Sequence, residues 1–238
     1  MKNLKRILSL LLIFMGVALF PSCSDDKEDP SISIPTTKSI SVGSSFSFGV
    51  SGNWSSSNNF VASVDNDGNV KAEHVGECII SNGSHNCTVT VTPKSTLIKE
   101  PITEWGISKS QLISKCGSGY QESGTAIGYK TNSNIAPMIM YSFDSYNRLS
   151  SSVIIVKTAY TSELVDFLIE RYRPVTMDGY DYYFVNGYSS QSISTVIGLG
   201  LYKYDKDYCM ALYMPYSGSS RSSEAIDLAS NLFNIAKQ

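Results

Sequence analysis

The 238-residue chain has two histidines, His74 and His85, and they are its only side chains whose ordinary titration falls near neutral pH. Neither has a second histidine or a cysteine at metal-ligand spacing, so both read as solvated residues in strand or turn context, and no metal site is expected. No histidine follows His85, which excludes a Ser-His-Asp or Cys-His arrangement from the C-terminal half. Gly-x-Ser-x-Gly is absent, and with it the nucleophile elbow. Gly117-x-Gly119 and Gly198-x-Gly200 each lack the third glycine of a dinucleotide fingerprint, so they read as turn or packing glycines and no cofactor is expected. The carboxylates Asp144, Glu163, Asp178, Asp181, Asp205 and Asp207 fall mostly at turns or helix starts. A glycosidase pair can come from distant segments, but nothing in the spacing singles one out. No catalytic residue is assigned.

Four cysteines, Cys78, Cys87, Cys116 and Cys209, follow an earlier Cys23. Glu77–Val89 reads as a hairpin with Asn82-Gly83 as a two-residue type I′ turn. That register pairs Ser81 with Ser84, Ile80 with His85, Ile79 with Asn86 and Cys78 with Cys87. The cysteines then fall on a non-hydrogen-bonded pair, where a Cα separation of ~4.5 Å permits a disulfide. The other reading is two buried free thiols. A Cys116–Cys209 bridge follows only by elimination.

Tyrosine is the remaining chemical signal. All 15 lie between Tyr120 and Tyr216. Ile197, Leu199 and Leu201 alternate with Gly198, Gly200, Tyr202 and Tyr204, which predicts an aliphatic face packed on helices. The opposite Gly/Tyr face is then exposed or covered by another layer. With Tyr180 and Tyr182, Tyr202 and Tyr204 form the candidate binding face, able to stack on sugar rings or make a protein interface. Alternatively the rings are partly buried at the sheet rim, because strands favour tyrosine.

The elements that must position these groups begin with an export signal. Lys2, Lys5 and Arg6 precede an apolar run, Ile7 to Phe20, that is shorter than the ~20 residues needed to span a bilayer. The run ends in Phe20-Pro21-Ser22-Cys23, which resembles a lipobox with Phe in place of the usual Leu. Residues 1–22 are therefore expected to be a signal peptide, and Cys23 the lipid-bearing first residue of the mature chain. Residues 23–30, rich in Asp and Glu, form a polar tether. Acidic residues directly after the cysteine resemble the surface-export signal of Bacteroidetes lipoproteins. The resemblance implies an outer-membrane anchor with the chain at the cell surface, facing the periplasm being the alternative. Two or more acyl chains, at ~0.8 kcal/mol per buried methylene, hold stably where one does not. Export to an oxidising compartment also suits the even number of remaining cysteines.

From 31 to 93, short alternating segments separated by turn clusters predict a β-sandwich. Trp54-Ser55-Ser56-Ser57-Asn58, Val61-Ala62-Ser63-Val64-Asp65, Asp67-Gly68-Asn69-Val70, Gly76 and the closing strand Cys87–Thr92 resemble the bacterial Ig-like group 2 domain. That family implies a spacer or adhesion module without catalysis, with Trp54 in its core or at a sheet edge. Thr92–Thr96 reads as a short linker.

Residues 97–238 predict an α+β domain. A helix capped by Ser108 runs Lys109–Lys115, with strands after it at Thr125–Tyr129, Pro137–Phe143 and Leu149–Lys157. A helix from Thr161, with Leu164, Val165, Leu168 and Ile169 on its apolar face, is stopped by Pro174. Further strands are predicted at Tyr180–Tyr188, Ser194–Tyr204 and Tyr208–Pro215. A closing helix from Ser222 to Ala236 buries Ile226, Ala229, Leu232, Phe233 and Ala236. This order predicts an antiparallel sheet with helices on one face. Three strands after each of the first two helices hint at an internal duplication, as in TATA-binding-protein-like folds, a likeness of topology that implies no DNA binding.

A net charge of -2 and 17% charged residues give no electrostatic reason to expect nucleic acid. The sequence therefore reads as a non-catalytic envelope lipoprotein that binds a glycan or a protein. The alternatives are a hydrolase, an accessory or inhibitory subunit of one, and a structural subunit of an envelope assembly.

Overall fold

The computed structural model describes residues 33–96, 98–177, 181–201 and 206–216. The expected signal peptide, Cys23, the tether and the closing helix lie outside the described residues. So do Tyr180, Tyr202, Tyr204, Asp178 and Asp205, and the side chains of Asp181 and Tyr182. All the described residues belong to one compact unit, Ile32–Gln238.

The fold is β-rich. Its first part is built from β1 (Thr37–Ser41), β2 (Ser45–Ser47), β3 (Ser55–Ser56), β4 (Ala62–Val64), β5 (Asn69–Ala72), β6 (Gly76–Ser81) and β7 (Asn86–Thr92). They form a sheet of order β1-β7-β6-β3, with β1 parallel to β7, and a smaller sheet β2-β5-β4. Val70 and Ala72 from the small sheet share a core with Ile80, Cys87 and Val89 from the large one, so the two sheets bury one set of alternate side chains between them. Trp54 is buried in this core, stacked on Phe48 at 4.4 Å, and its indole N–H donates to the Val50 carbonyl at 2.8 Å. The turn into β5 needs Gly68: its φ is 74°, and a Cβ there would lie 2.7 Å from the Val50 carbonyl oxygen.

The β6–β7 register differs from expectation. Ser81 pairs with Asn86, Ile80 with Cys87 and Cys78 with Val89. The Asn82 side chain accepts the N–H groups of Ser84 and His85, and Asn82 N–H donates to the His85 carbonyl. The turn is thereby centred one residue later, on Gly83-Ser84, and each partner shifts by two. An even shift preserves the face, so both cysteines stay in the core, but it makes them diagonal neighbours. Such positions are ~7–8 Å apart, beyond ready bridging. Cys78, Cys87, Cys116 and Cys209 are all free thiols in the structure.

The second part comprises α1 (Lys109–Cys116), β8 (Tyr120–Ser123), β9 (Ala126–Lys130), β10 (Met138–Phe143), β11 (Leu149–Lys157), a 3₁₀ turn (Thr158–Tyr160), α2 (Thr161–Ile169), β12 (Arg173–Met177), β13 (Asp181–Val185), β14 (Thr195–Leu201) and β15 (Tyr208–Pro215). Ser108 caps α1 in a reciprocal box with Gln111, and Leu112 is fully buried. Each helix is followed by four strands rather than three. The sheet order β12-β13-β14-β15-β11-β10-β9-β8 therefore reads as two helix-plus-meander halves joined antiparallel at β11 and β15. The added strands are the two edges. β12 carries Pro174, which an edge strand tolerates because only one side of its ladder needs N–H donors.

In α2 the buried residues are Leu164, Phe167 and Leu168, whereas Ile169 is 46% exposed. The inward stripe is rotated by about one residue from that expected, because Phe167 supplies more apolar area than Val165. Both helices lie on one face of the sheet. α2 packs on Ile154, Val156, Ile197, Ala211 and Tyr213, and α1 on Ile127, Ile139, Tyr141 and Leu149. Ile197 and Leu199 lie on that helix-covered face, as their alternation predicts.

Candidate functional site

The end of α2 meets the linker and the sandwich, and the polar side chains gathered there form the most elaborate cluster among the described residues. The Glu170 carboxylate accepts the backbone N–H of Lys94 at 3.1 Å and that of Ser95 at 3.0 Å. The Glu170 backbone carbonyl accepts Val75 N–H, just before β6, at 2.8 Å. The Arg171 side chain, 9% exposed, lies beside it: its guanidinium is 3.8 Å from the Phe167 ring centroid and donates to the carbonyls of Phe167 and Ser95. It also approaches carboxylate oxygens of Glu100 at 3.6 Å and Glu170 at 3.5 Å. The linker is thus held by its backbone groups, through charge-assisted bonds from two adjacent side chains.

Tyr172 completes the cluster by donating its hydroxyl to Glu100. Burial pushes the Glu100 carboxyl above the usual range, opposed by the Tyr172 hydrogen bond and the Arg171 charge. Tyr172 and Tyr213 are raised by burial first and then by the nearby Glu100. The Tyr213 hydroxyl is buried with no partner among the described residues.

A second group of contacts lies alongside. Phe60 and His74 stack at 3.9 Å with ring planes 2° apart, and the edge of Tyr188 meets Phe60 at 5.2 Å. Arg173 lies 6.0 Å from the Tyr188 centroid. His74 is therefore half-buried rather than solvated, which corrects the expectation, whereas His85 is exposed. The His74 ring nitrogen Nδ1 lies 2.7 Å from the Phe60 carbonyl, so the neutral tautomer with Nδ1–H donates there. Desolvation is the largest influence on His74 and holds its pKa below 6.5, outweighing the Phe60 hydrogen bond.

Because the charged form is disfavoured in the folded state, His74 contributes stability that is full above its unfolded pKa of about 6.5 and is lost as pH falls through its lower folded pKa. Urea midpoints measured from pH 8 to 5 are expected to fall less steeply below pH 6.5 in His74→Gln than in the parent. Parallel curves would remove His74 from the acid response.

A cleft of about 520 Å³ opens next to the junction, lined by Lys94, Ser95, Thr96, Glu163, Asp166, Ile169 and Glu170. None of these residues is a histidine or cysteine. Burial pushes the Cys78, Cys87 and Cys209 thiols up, which keeps them protonated and poorly nucleophilic. Cys116 lies near the Tyr141 hydroxyl and Cys209 near that of Thr161, in separate core clusters. Asp144 is engaged in its own turn by Tyr146 and Arg148. No group of three His, Cys, Asp or Glu side chains suited to a metal ion occurs among the described residues.

Of the candidate tyrosines, only Tyr182 falls on a described element, β13. Its neighbour Tyr183 is buried, as are Tyr141, Tyr172 and Tyr213, so much of the tyrosine signal is spent on packing. Tyr146 and Tyr188 are the most exposed of the described tyrosines. The junction itself is missed by motif reasoning. One signal could have found it: Arg171 follows Leu164 and Leu168 at spacings of seven and three, which places a charge in line with the buried stripe, two residues past the end of α2 at Ile169. No protein-family model matches the chain, and no curated protein matches it.

Proposed function

We propose that the protein is a lipid-anchored envelope protein of the outer membrane that binds a glycan or protein partner without catalysing a reaction. The observation that carries this reading is Phe20-Pro21-Ser22-Cys23 at the end of a short apolar run, with an acidic tether directly after it. In this reading the two-sheet sandwich is an Ig-like spacer and the eight-stranded sheet with its helices carries the binding surface. The clamped linker supports a rigid mount, since a partner held by such a module is presented at one angle to the membrane. The buried Cys78, Cys87 and Cys209 thiols, held protonated by desolvation, and the absence of a histidine beyond His85 support binding over catalysis.

Replacing Cys23 with alanine is expected to move the protein from the membrane to the soluble fraction and to abolish metabolic labelling with a fatty-acid analogue. Continued membrane association would defeat the anchor. The binding half is tested on a glycan array, with Tyr182→Ala and Tyr202→Ala as comparisons. Binding weakened by these substitutions supports a sugar-stacking face, and silence across the array shifts the reading to a protein ligand.

A further inference from the structure

Asn-Gly occurs twice in the chain, at Asn82-Gly83 and at Asn186-Gly187. In such a pair the glycine backbone nitrogen can attack the asparagine side-chain carbonyl, because no Cβ obstructs the approach. By residue type the two pairs are equally reactive. The fold separates them.

Asn186-Gly187, just past β13, is held from both sides. The Asn186 Oδ1 accepts the N–H groups of Ser194 at 2.9 Å and Thr195 at 3.0 Å, and its Nδ2 donates to the Ser194 hydroxyl at 2.8 Å. The carboxamide is thus bonded across the loop to the start of β14, and those bonds must break before it can meet its own following peptide. Ser192 closes the other side: a Cβ on Gly187 would lie 2.6 Å from its Oγ and 2.9 Å from its backbone carbonyl carbon. A peptide packed so tightly has little room to turn.

Asn82-Gly83 is built the opposite way. Asn82 is half-buried, and Gly83, Ser84 and His85 are exposed at the tip of the β6–β7 hairpin. The Gly83 N–H donates to the Ser81 hydroxyl at 3.1 Å, so that nitrogen reacts without breaking a ladder bond. Gly83 has a φ of 87° and nothing within 4 Å of where a Cβ would stand, which leaves its peptide free to turn. The Asn82 Oδ1 accepts Ser84 N–H at 3.1 Å and His85 N–H at 2.9 Å. The bond to Ser84 closes a ring of atoms that includes the Gly83 nitrogen, so the carboxamide is folded back toward it. Both donors also face the oxygen on which negative charge develops when its carbon is attacked.

We propose that Asn82-Gly83 is a site of spontaneous covalent modification in the folded protein. The Gly83 nitrogen forms a bond to Asn82 Cγ, the Cγ–Nδ2 bond breaks, and the Gly83 amide proton leaves with Nδ2 as ammonia. Water then opens the resulting succinimide at either carbonyl. The product is an aspartyl or an isoaspartyl linkage, with one new negative charge. The isoaspartyl form adds a methylene to the main chain and turns the capping Oδ1 into a main-chain carbonyl oxygen. It thereby loosens the turn that centres the hairpin, above the Ser81–Asn86 pair.

The test incubates the full chain in mildly alkaline buffer, folded or in urea. Both Asn-Gly peptides are followed by mass spectrometry with fragmentation that separates isoaspartyl from aspartyl. In the folded chain Asn82 is expected to convert at least about tenfold faster than Asn186, and in urea the two rates are expected to converge. Equal rates at the two sites in the folded chain would overturn the inference. So would slowing of Asn82 by more than about tenfold on folding, since its turn would then protect it. Amide hydrogen exchange at Ser84 and His85 is expected to be faster in the isoaspartyl fraction than in Asn82→Asp, which has the charge without the added methylene. Equal exchange in the two would overturn the loosened turn.

Discussion

Phe167→Ala is expected to lower the unfolding free energy by about 3–5 kcal/mol, the usual cost of emptying a fully buried aromatic site. Phe167 is 0% exposed and sits among Leu164, Leu168, Ile154 and Tyr213. Its ring also lies under the Arg171 guanidinium, so the substitution removes a desolvated cation–π contact together with apolar burial. The check is a urea titration monitored by tryptophan fluorescence and by far-ultraviolet circular dichroism. A loss below about 1 kcal/mol would mean that α2 is not a principal support of the sheet. Phe167→Leu is expected to recover more than half of the loss, because it refills most of the volume without restoring the π face.

Arg171→Ala carries the second large effect, about 3 kcal/mol. That is the lower end of the range for breaking a buried pair, because Glu100 keeps its Tyr172 bond and its side chain is 37% exposed. The substitution leaves the carbonyls of Phe167 and Ser95 without their donor and withdraws positive charge from two carboxylates. The consequence should reach beyond α2, since Ser95 belongs to the linker that Glu170 also holds. Limited proteolysis is expected to cut the variant between 93 and 98 before the parent is cut anywhere in that stretch. Arg171→Lys is expected to behave much more like alanine than like arginine, because a lysine ammonium cannot stack on Phe167 while bonding two carbonyls. Equal protease resistance in all three proteins would show that the linker is held by Glu170 alone.

These effects centre on residues whose importance is only partly legible in the sequence. Helix α1 is readable because its signals are local: Ser108 caps it, Gln111 closes the box, and Leu112 falls at the inward position. Strands β11 and β15 are readable from long apolar runs bounded by turn residues, and both occupy the expected ranges. The edge strands β8 and β12 are not. Tyr120–Ser123 is short and polar and Arg173–Met177 contains a proline, so each becomes a strand only because a neighbouring strand offers a free ladder. The β6–β7 turn shows the same limit at finer scale. Asn-Gly signals a reversal correctly, but the Asn82 side chain moves its centre by one residue, and with it the partner of every cysteine in the hairpin.

By itself the sequence determined what depends on residues near one another: the short apolar run ending at Cys23 with acidic residues beside it, the β-rich character of the chain beyond residue 31, helices α1 and α2, and the want of a histidine beyond His85. Tertiary structure decided what depends on distant residues meeting. It brought Glu170 to the backbone of the linker, put Phe60 and His74 against Tyr188, and joined two helix-plus-four-strand halves through β11 and β15. The physical reason is that capping and alternation are set by chain geometry within a few residues. A charge on a buried stripe or a hydroxyl without a partner gains its meaning only from whatever the fold brings opposite it.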